Sequence, residues 1–168
     1  LLIHLVDKDN IILKTKTTDI EPENIIKYKD FINEMFNFIE SKNGIGLSAP
    51  QVGVDKSLFV ISIDNVRKVF INPKIISVSG KKSIETEGCL SLPGLNCKIE
   101  RPETITITWL DENNTTQIAD LEALWARCWL HEYDHLQGIL ITDRISKLKL
   151  NILNRKLNKQ SKKNKQSK

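Results

Sequence analysis

Residues 131–135 read His-Glu-Tyr-Asp-His, and this pentapeptide holds two of the chain's three histidines. On a helix, positions i and i+4 share one face, so His131 and His135 are placed to bind one metal ion. Glu132 would then lie beside that ion, where a carboxylate can move a proton. The preceding stretch, residues 121–130 (LEALWARCWL), is strongly apolar. This helix is therefore expected to run through a core. Histidines and carboxylates on a buried helix need partners, and a metal supplies them.

A catalytic site of this kind takes three protein ligands and keeps one position open. Cys89, Cys97, Cys128, His4 and several carboxylates are candidates for the third ligand. Cys128 lies one turn before His131, but it is about 10 Å along a helix axis from His135. Three ligands in line on one helix do not converge on a tetrahedral ion, so Cys128 is better placed to line the cavity. Cys89 sits in Glu87-Gly88-Cys89-Leu90-Ser91-Leu92-Pro93-Gly94, whose glycines permit close backbone approach. That is the setting of a ligand on a loop with free amides beside it. Cys97 lies in an apparent strand and reads as a small buried hydrophobe.

A chain of 168 residues with 40% hydrophobic content fits one domain with a normal core. Three cysteines are an odd and sparse count, which argues against a disulfide framework and for a reducing compartment. No stretch approaches the roughly 18 apolar residues of a membrane span. Neither a membrane nor a specific DNA site is expected as a partner. The chain opens Leu-Leu-Ile and its single methionine is Met35. The natural start is therefore expected upstream. Bacterial cytoplasm, with the gene in a bacterium or a phage, is the expected location, and an organelle stays open.

The net charge of +4 conceals an asymmetry. Residues 144–168 carry ten of the 25 basic residues and no acid, whereas 1–143 carry 15 bases and 21 acids. A basic end is a solvated, disordered tail or a contact for a polyanion such as RNA.

Residues 22–42 carry apolar positions at helical spacing, with Pro22 in the first turn and Asn43-Gly44 ending the helix. A Gly-rich loop covers 44–53. Strands are expected at 58–63, 68–71, 75–79, 97–101, 104–110 and 115–121, the fifth segment TITITWL alternating cleanly. The histidine helix is expected over 122–137, a short strand over 139–142 and a last helix over 146–157. Its apolar stripe would be Ile145, Leu148, Ile152, Leu153 and Leu157. This order lacks βαβ alternation. The expected class is α+β, with mostly antiparallel short sheets around a buried metal-binding helix, flanked by an N-terminal and a C-terminal helix. One catalytic domain is expected over 1–159 and a basic disordered tail over 160–168.

Three segments together resemble the peptide deformylase family. They are Gly44-Ile45-Gly46-Leu47-Ser48-Ala49-Pro50-Gln51, Glu87-Gly88-Cys89-Leu90-Ser91, and His131-Glu132-Tyr133-Asp134-His135. They occur in the family's order and at about its spacings, over roughly residues 20–145. The resemblance implies that Cys89, His131 and His135 are the metal ligands and that Glu132 is the general base and acid. It implies that Gln51 and the Leu90 backbone N–H bind the formyl oxygen. Ile45, Gly46 and Gly88 resemble the edge that holds the peptide as an added strand. Leu124, Arg127 and Cys128 fall where the family lines its methionine pocket.

The chain departs from the family at Ser48, where alanine is more usual, and at Leu130, where glutamine is. Asn96 stands where some members carry a substrate-facing arginine. Glu87, Asp134 and Arg101 are expected behind the ligands. The cofactor implied is one divalent ion, Fe(II) in the cell, with Zn, Ni or Co accepted by such a donor set. The substrate implied is the N-formylmethionyl end of new polypeptides. A monomer is expected, with the ribosome as a partner for the basic C-terminal helix.

Two other readings share part of this pattern. A zinc endopeptidase has the His-Glu-x-x-His helix but usually takes its third ligand downstream, and no His, Cys or acid follows Asp143. A non-enzymatic ribosome- or RNA-binding protein with a structural metal would have no use for Glu132 or Gln51.

Overall fold

The computed structural model describes residues 3–166, with side chains placed for 3–159. Its main element is an antiparallel five-stranded sheet in the order β1-β2-β3-β6-β7. The strands are Gly46–Ser48 (β1), Leu58–Ile63 (β2), Val66–Val78 (β3), Thr104–Leu110 (β6) and Thr116–Glu122 (β7). A separate two-stranded ribbon pairs Lys82–Gly88 (β4) with Asn96–Pro102 (β5). The α-helices are Lys29–Ser41 (α1), Ala123–Leu136 (α2) and Lys147–Gln166 (α3).

Side-chain alternation decides how the layers stack. Along β2, Leu58 and Val60 join Ile32, Met35, Phe36 and Ile39 of α1 in one core cluster. The intervening Phe59, Ile61 and Ile63 join Trp129, Leu130 and Leu136 of α2 in another. Successive strand residues face opposite sides, so the sheet has α1 on one face and α2 on the other. The apolar run LFVISI is the signature of that double burial. In β6 the isoleucines at 105 and 107 and Trp109 point into the α2 core, while its threonines face outward or are half-buried. Trp129 anchors α2, meeting Phe59 edge-on at 5.6 Å and stacking on Tyr133 at 4.9 Å.

Several elements differ from the sequence reading. The first helix opens as a 3₁₀ segment, Pro22–Tyr28, before α1 begins. The strands read at 68–71 and 75–79 are one strand, β3, whose pairing with β6 shifts between Ile71 and Lys74. Asn72, at φ +48°, and Pro73 cause the interruption that looked like a gap. The loop 44–53 contains β1 and a 3₁₀ turn, Ala49–Val52. The strand expected at 139–142 is instead a 3₁₀ turn, Ile141–Arg144, because Asp143 accepts a hydrogen bond from the Leu140 N–H and curls the chain. Strand β4 was not foreseen at all.

The last helix runs past 157, and only part of its expected apolar stripe is covered. Leu153 and Leu157, with Ile145 before the helix, pack against Leu95, Cys97, Ile99 and Ile141. Leu148 and Ile152 are 70% and 45% exposed. At about 100° per residue they fall opposite the half-buried Leu150–Leu153–Leu157 side. The disordered tail expected over 160–168 concerns side chains, and at 167–168 a backbone, outside the described residues.

Gly138 ends α2 at φ +72°, and a Cβ there would lie 2.6 Å from the Lys14 carbonyl carbon. The N-terminal segment is held against this turn by Thr17, whose N–H and hydroxyl both donate to the Leu136 carbonyl at 2.9 and 3.2 Å. Gly138→Ala meets both a left-handed backbone and a backbone clash. It should destabilise the fold by about 2 kcal/mol or more, read as a lowered denaturant midpoint with unchanged slope. A wild-type midpoint would remove this contact from the fold's determinants.

Candidate active site

Helix α2 presents His131 and His135 on one face, and β4 delivers the chain to Cys89 directly opposite. Their donor atoms all lie within 4.8 Å of one another. His135 Nε2 is 3.4 Å from Cys89 Sγ and 3.3 Å from His131 Nε2. On the other side of its ring, His131 Nδ1 is 3.1 Å from Glu87 Oε2. Donation of the Nδ1 proton to that carboxylate leaves the Nε2 lone pair facing the cluster. A thiol sulfur and two imidazole nitrogens aimed at one point repel unless positive charge sits between them. The two histidines are shifted in opposite directions: burial, then His131 and Arg101, hold the pKa of His135 well below the ordinary imidazole value, and His131 goes the other way. Burial disfavours its cation, yet hydrogen bonds from the Cys89 and Glu87 side push its pKa up to about 10. The donor set therefore fits a divalent ion of the borderline kind that sulfur and imidazole accept.

The carboxylates behind the ligands are held by arginines. Arg101, 2% exposed, donates from Nε and Nη2 to the two oxygens of Glu87 at 2.6 and 2.9 Å. Its Nη1 reaches Asp134 at 2.9 Å, and Arg144 also grips Asp134. Burial works to raise the pKa of Glu87, but Arg101 and His131 outweigh it and hold the carboxyl at about 2.

Glu132 is 3% exposed, and its Oε2 has no hydrogen-bond partner. Burial pushes its pKa up to about 7, against the pull of His131 and Arg101. A carboxyl poised there can both accept and return a proton near neutrality. Gly46 makes room for it, since a Cβ at that position would stand 3.0 Å from Cys128 Sγ and closer still to Glu132 Oε1. Strand β1 can thus lie against α2 only with glycine at this point.

The Gln51 amide is oriented from both ends. Its Oε1 accepts from the Ser48 N–H at 2.9 Å and from the Ser48 hydroxyl at 3.0 Å. Its Nε2 donates to Ser91 Oγ at 3.1 Å and lies 3.6 Å from Cys89 Sγ. One N–H of the amide remains directed at the ligand cluster.

A cavity of about 500 Å³ opens over this cluster, lined by Ile45, Gly46, Gln51, Gly88, Cys89, Leu90, Leu124, Arg127, Cys128, His131 and Glu132. His135 lies beneath it, 1% exposed. The structure thus brings together the twelve site residues named from sequence. Cys97 is buried in the Leu95–Ile99–Ile141 cluster behind Cys89 and is not one of the converging donors, and His4 is exposed near the N-terminus. Sequence reasoning did not single out Ser91 as a partner of Gln51, or Arg144 as one of Asp134. The i, i+4 spacing of Arg127 and His131 was a usable signal that both could reach one carboxylate.

The polypeptide deformylase family model matches residues 3–151. A peptide deformylase of Treponema pallidum is 40% identical over 131 residues, covering 77% of this chain and 81% of that protein. Among solved structures, the peptide deformylase of Synechococcus elongatus in complex with actinonin has a TM-score of 0.85 at 36% identity, covering 92% of this chain and 85% of that one. The Legionella pneumophila peptide deformylase has a TM-score of 0.86 at 32% identity, covering 96% of each chain.

Proposed function

The chain belongs to the polypeptide deformylase family, and from that premise we propose that Cys89, His131 and His135 hold the metal while Glu132 moves the proton. The enzyme is a metal-dependent hydrolase that removes the N-formyl group from newly made polypeptides. One observation supports this residue assignment above the rest: three converging soft and borderline donors beside a buried carboxylate oxygen with no partner.

Water at neutral pH is a poor nucleophile towards a formamide. A divalent ion at the three donors supplies Lewis acidity, bringing the pKa of water towards ~7 and favouring negative charge on the formyl oxygen. Glu132 takes the proton from the attacking water and delivers it to the departing amine nitrogen. The Gln51 N–H that faces Cys89 Sγ and the Leu90 N–H receive the oxygen as it gains charge, each such donor being worth about 10²–10³ in rate. Ile45, Gly46 and Gly88 offer backbone on the two sides of the cleft, so the peptide enters as an added strand. The ion in the cell is Fe(II), with Zn, Ni and Co also accepted by a thiolate–imidazole set.

The first side chain of the substrate meets Ile45, Leu124, Cys128 and the stem of Arg127, a mostly apolar slot suited to methionine. Formyl-Met peptides should therefore exceed formyl-Asp peptides by at least ~10² in kcat/KM, since a buried unpaired carboxylate is costly. Comparable values for the two would rule this slot out.

The enzyme works as a monomer in the bacterial cytoplasm. Among the described residues no helix is long and apolar enough to cross a membrane. Helix α3 keeps Lys147, Lys149, Arg155, Lys156 and Lys159 exposed while Leu153 and Leu157 dock on the body. That basic face is a contact for ribosomal RNA. Reversing Lys149 and Lys156 to glutamate should weaken salt-sensitive co-sedimentation with ribosomes and leave short-peptide turnover unchanged. Unaltered co-sedimentation at low and high salt would discard the contact.

A further inference from the structure

Arg127 lines the cavity, yet its charged end has turned away from it. The residue is 7% exposed. Both terminal nitrogens of its guanidinium are engaged by the protein: Nη1 donates to Glu87 Oε1 at 2.8 Å and to the Ile99 carbonyl at 3.1 Å. Nη2 donates to the Ser83 carbonyl at 3.0 Å and the Ser83 hydroxyl at 2.9 Å. Nε pairs with Glu85 Oε2 at 3.4 Å. A guanidinium has five N–H donors; the four on Nη1 and Nη2 are hydrogen-bonded to the protein, and the fifth, on Nε, faces Glu85 as an ion pair only. The four terminal donors are therefore not available to anchor a substrate.

The contacts have a direction. Ser83, Glu85 and Glu87 are alternate residues of β4, and Ile99 lies on β5, so one side chain of α2 ties down one face of the ribbon. The ribbon leads, one residue past β4, to Cys89. Arg127 and His131 are one turn apart on α2, and both bind Glu87, one at each carboxylate oxygen. We propose that Arg127 is a positioning residue for the metal centre. It fixes the Glu87 carboxylate against His131 and sets the distance between the helix that carries two ligands and the ribbon that carries the third.

Two other polar links join the ribbon to α2, Arg101 Nη1 to Asp134 at 2.9 Å and Glu87 to His131 at 3.1 Å, but only Arg127 reaches from the helix to both strands of the ribbon at once. Arg101 also grips Glu87, but it belongs to the ribbon itself, on β5. It keeps the carboxylate charged and does not attach the ribbon to the helix through that contact. A lysine at 127 could reach one of the acceptors, as a single point charge, and would release the rest.

The proposal rests on the assignment of Cys89, His131 and His135 as ligands, and the test separates the two. Zn(II) affinity is measured by chelator competition on the wild type, Arg127→Met and Arg127→Lys. Steady-state hydrolysis of a formyl-Met peptide is followed on the same samples, and thermal midpoints are recorded. Loss of a group that orients a ligand typically weakens metal binding about 10–100-fold. Arg127→Met should show a Zn(II) Kd raised within that range and a lower kcat at saturating metal, with KM changed less than about twofold. Arg127→Lys should fall between it and the wild type. If Arg127→Met does not fold, Arg127→Lys decides alone: a Kd raised about fivefold or more supports the role, and a wild-type Kd overturns it. An unchanged Kd in folded Arg127→Met, or an effect confined to KM and first-residue selectivity, also overturns it and returns Arg127 to the substrate pocket. A wild-type protein that binds no Zn(II) removes the ligand assignment itself.

Discussion

Glu132→Ala should retain its metal at wild-type stoichiometry and lose at least ~10³ in turnover of a formyl peptide, the upper part of the general acid–base range combined with lost positioning. Glu132 is beside the ligands without being one of them, since the three donors within 4.8 Å are Cys89, His131 and His135. Its Oε2 is buried and unpartnered, and its pKa is raised to about 7 by burial. Such an oxygen costs stability in the folded protein and gains a partner only when water or substrate enters. Truncation should therefore not weaken the fold much. Metal content and turnover measured on one preparation decide the matter. A metal-loaded mutant with near-wild-type turnover would take Glu132 out of the mechanism.

Cys89→Ser should strip the metal, while Cys128→Ser and Cys97→Ser should keep it. A serine hydroxyl is a far weaker ligand than a thiolate for a borderline ion, because it does not ionise near neutral pH. Cys128 is buried against Glu132 and Gly46, and burial together with the neighbouring carboxylates raises its thiol pKa well above the ordinary value. That thiol stays protonated and packs as an apolar group. Cys97 is buried with Leu95, Ile99 and Ile141, a cluster that Cys89 packs against, and is not among the three converging donors. Equilibrium metal content of the three variants after dialysis is the measurement. Retention in Cys89→Ser with loss in Cys128→Ser would reverse the assignment.

What could be read from the sequence was what repeats locally. Strand β6 was legible because Ile105, Ile107 and Trp109 alternate with outward residues on a sheet buried on one side. Helix α2 was legible because its apolar run and its histidine pair share one period, and its bounds came out within one residue. Strand β4 was hidden because its one buried residue is Glu87, which is inside only because Arg101, Arg127 and His131 come to it from other elements. A charged residue gives no hydrophobic signal even when it is a pivot of the core. The apolar stripe assigned to helix α3 was too wide for a related reason. Leu148 and Ile152 look as apolar as Leu153 and Leu157, and only the position of Leu95 and Ile141 decides which pair is covered. The site itself was legible in its ligands and base, which lie in short dense motifs. The orientation of Gln51 by Ser48 and Ser91 was not, because hydrogen-bond direction is set by tertiary placement.

The most direct test is formate release from a formyl-Met peptide by protein prepared and assayed without oxygen, before and after removal of the metal by a chelator and again after Fe(II) is restored. Release should track bound metal, vanish on stripping and return on reloading, with the peptide chain otherwise intact. Formate release that survives complete stripping, or Fe(II)-loaded protein that cuts internal peptide bonds and releases no formate, would contradict a deformylase centred on Cys89, His131, His135 and Glu132.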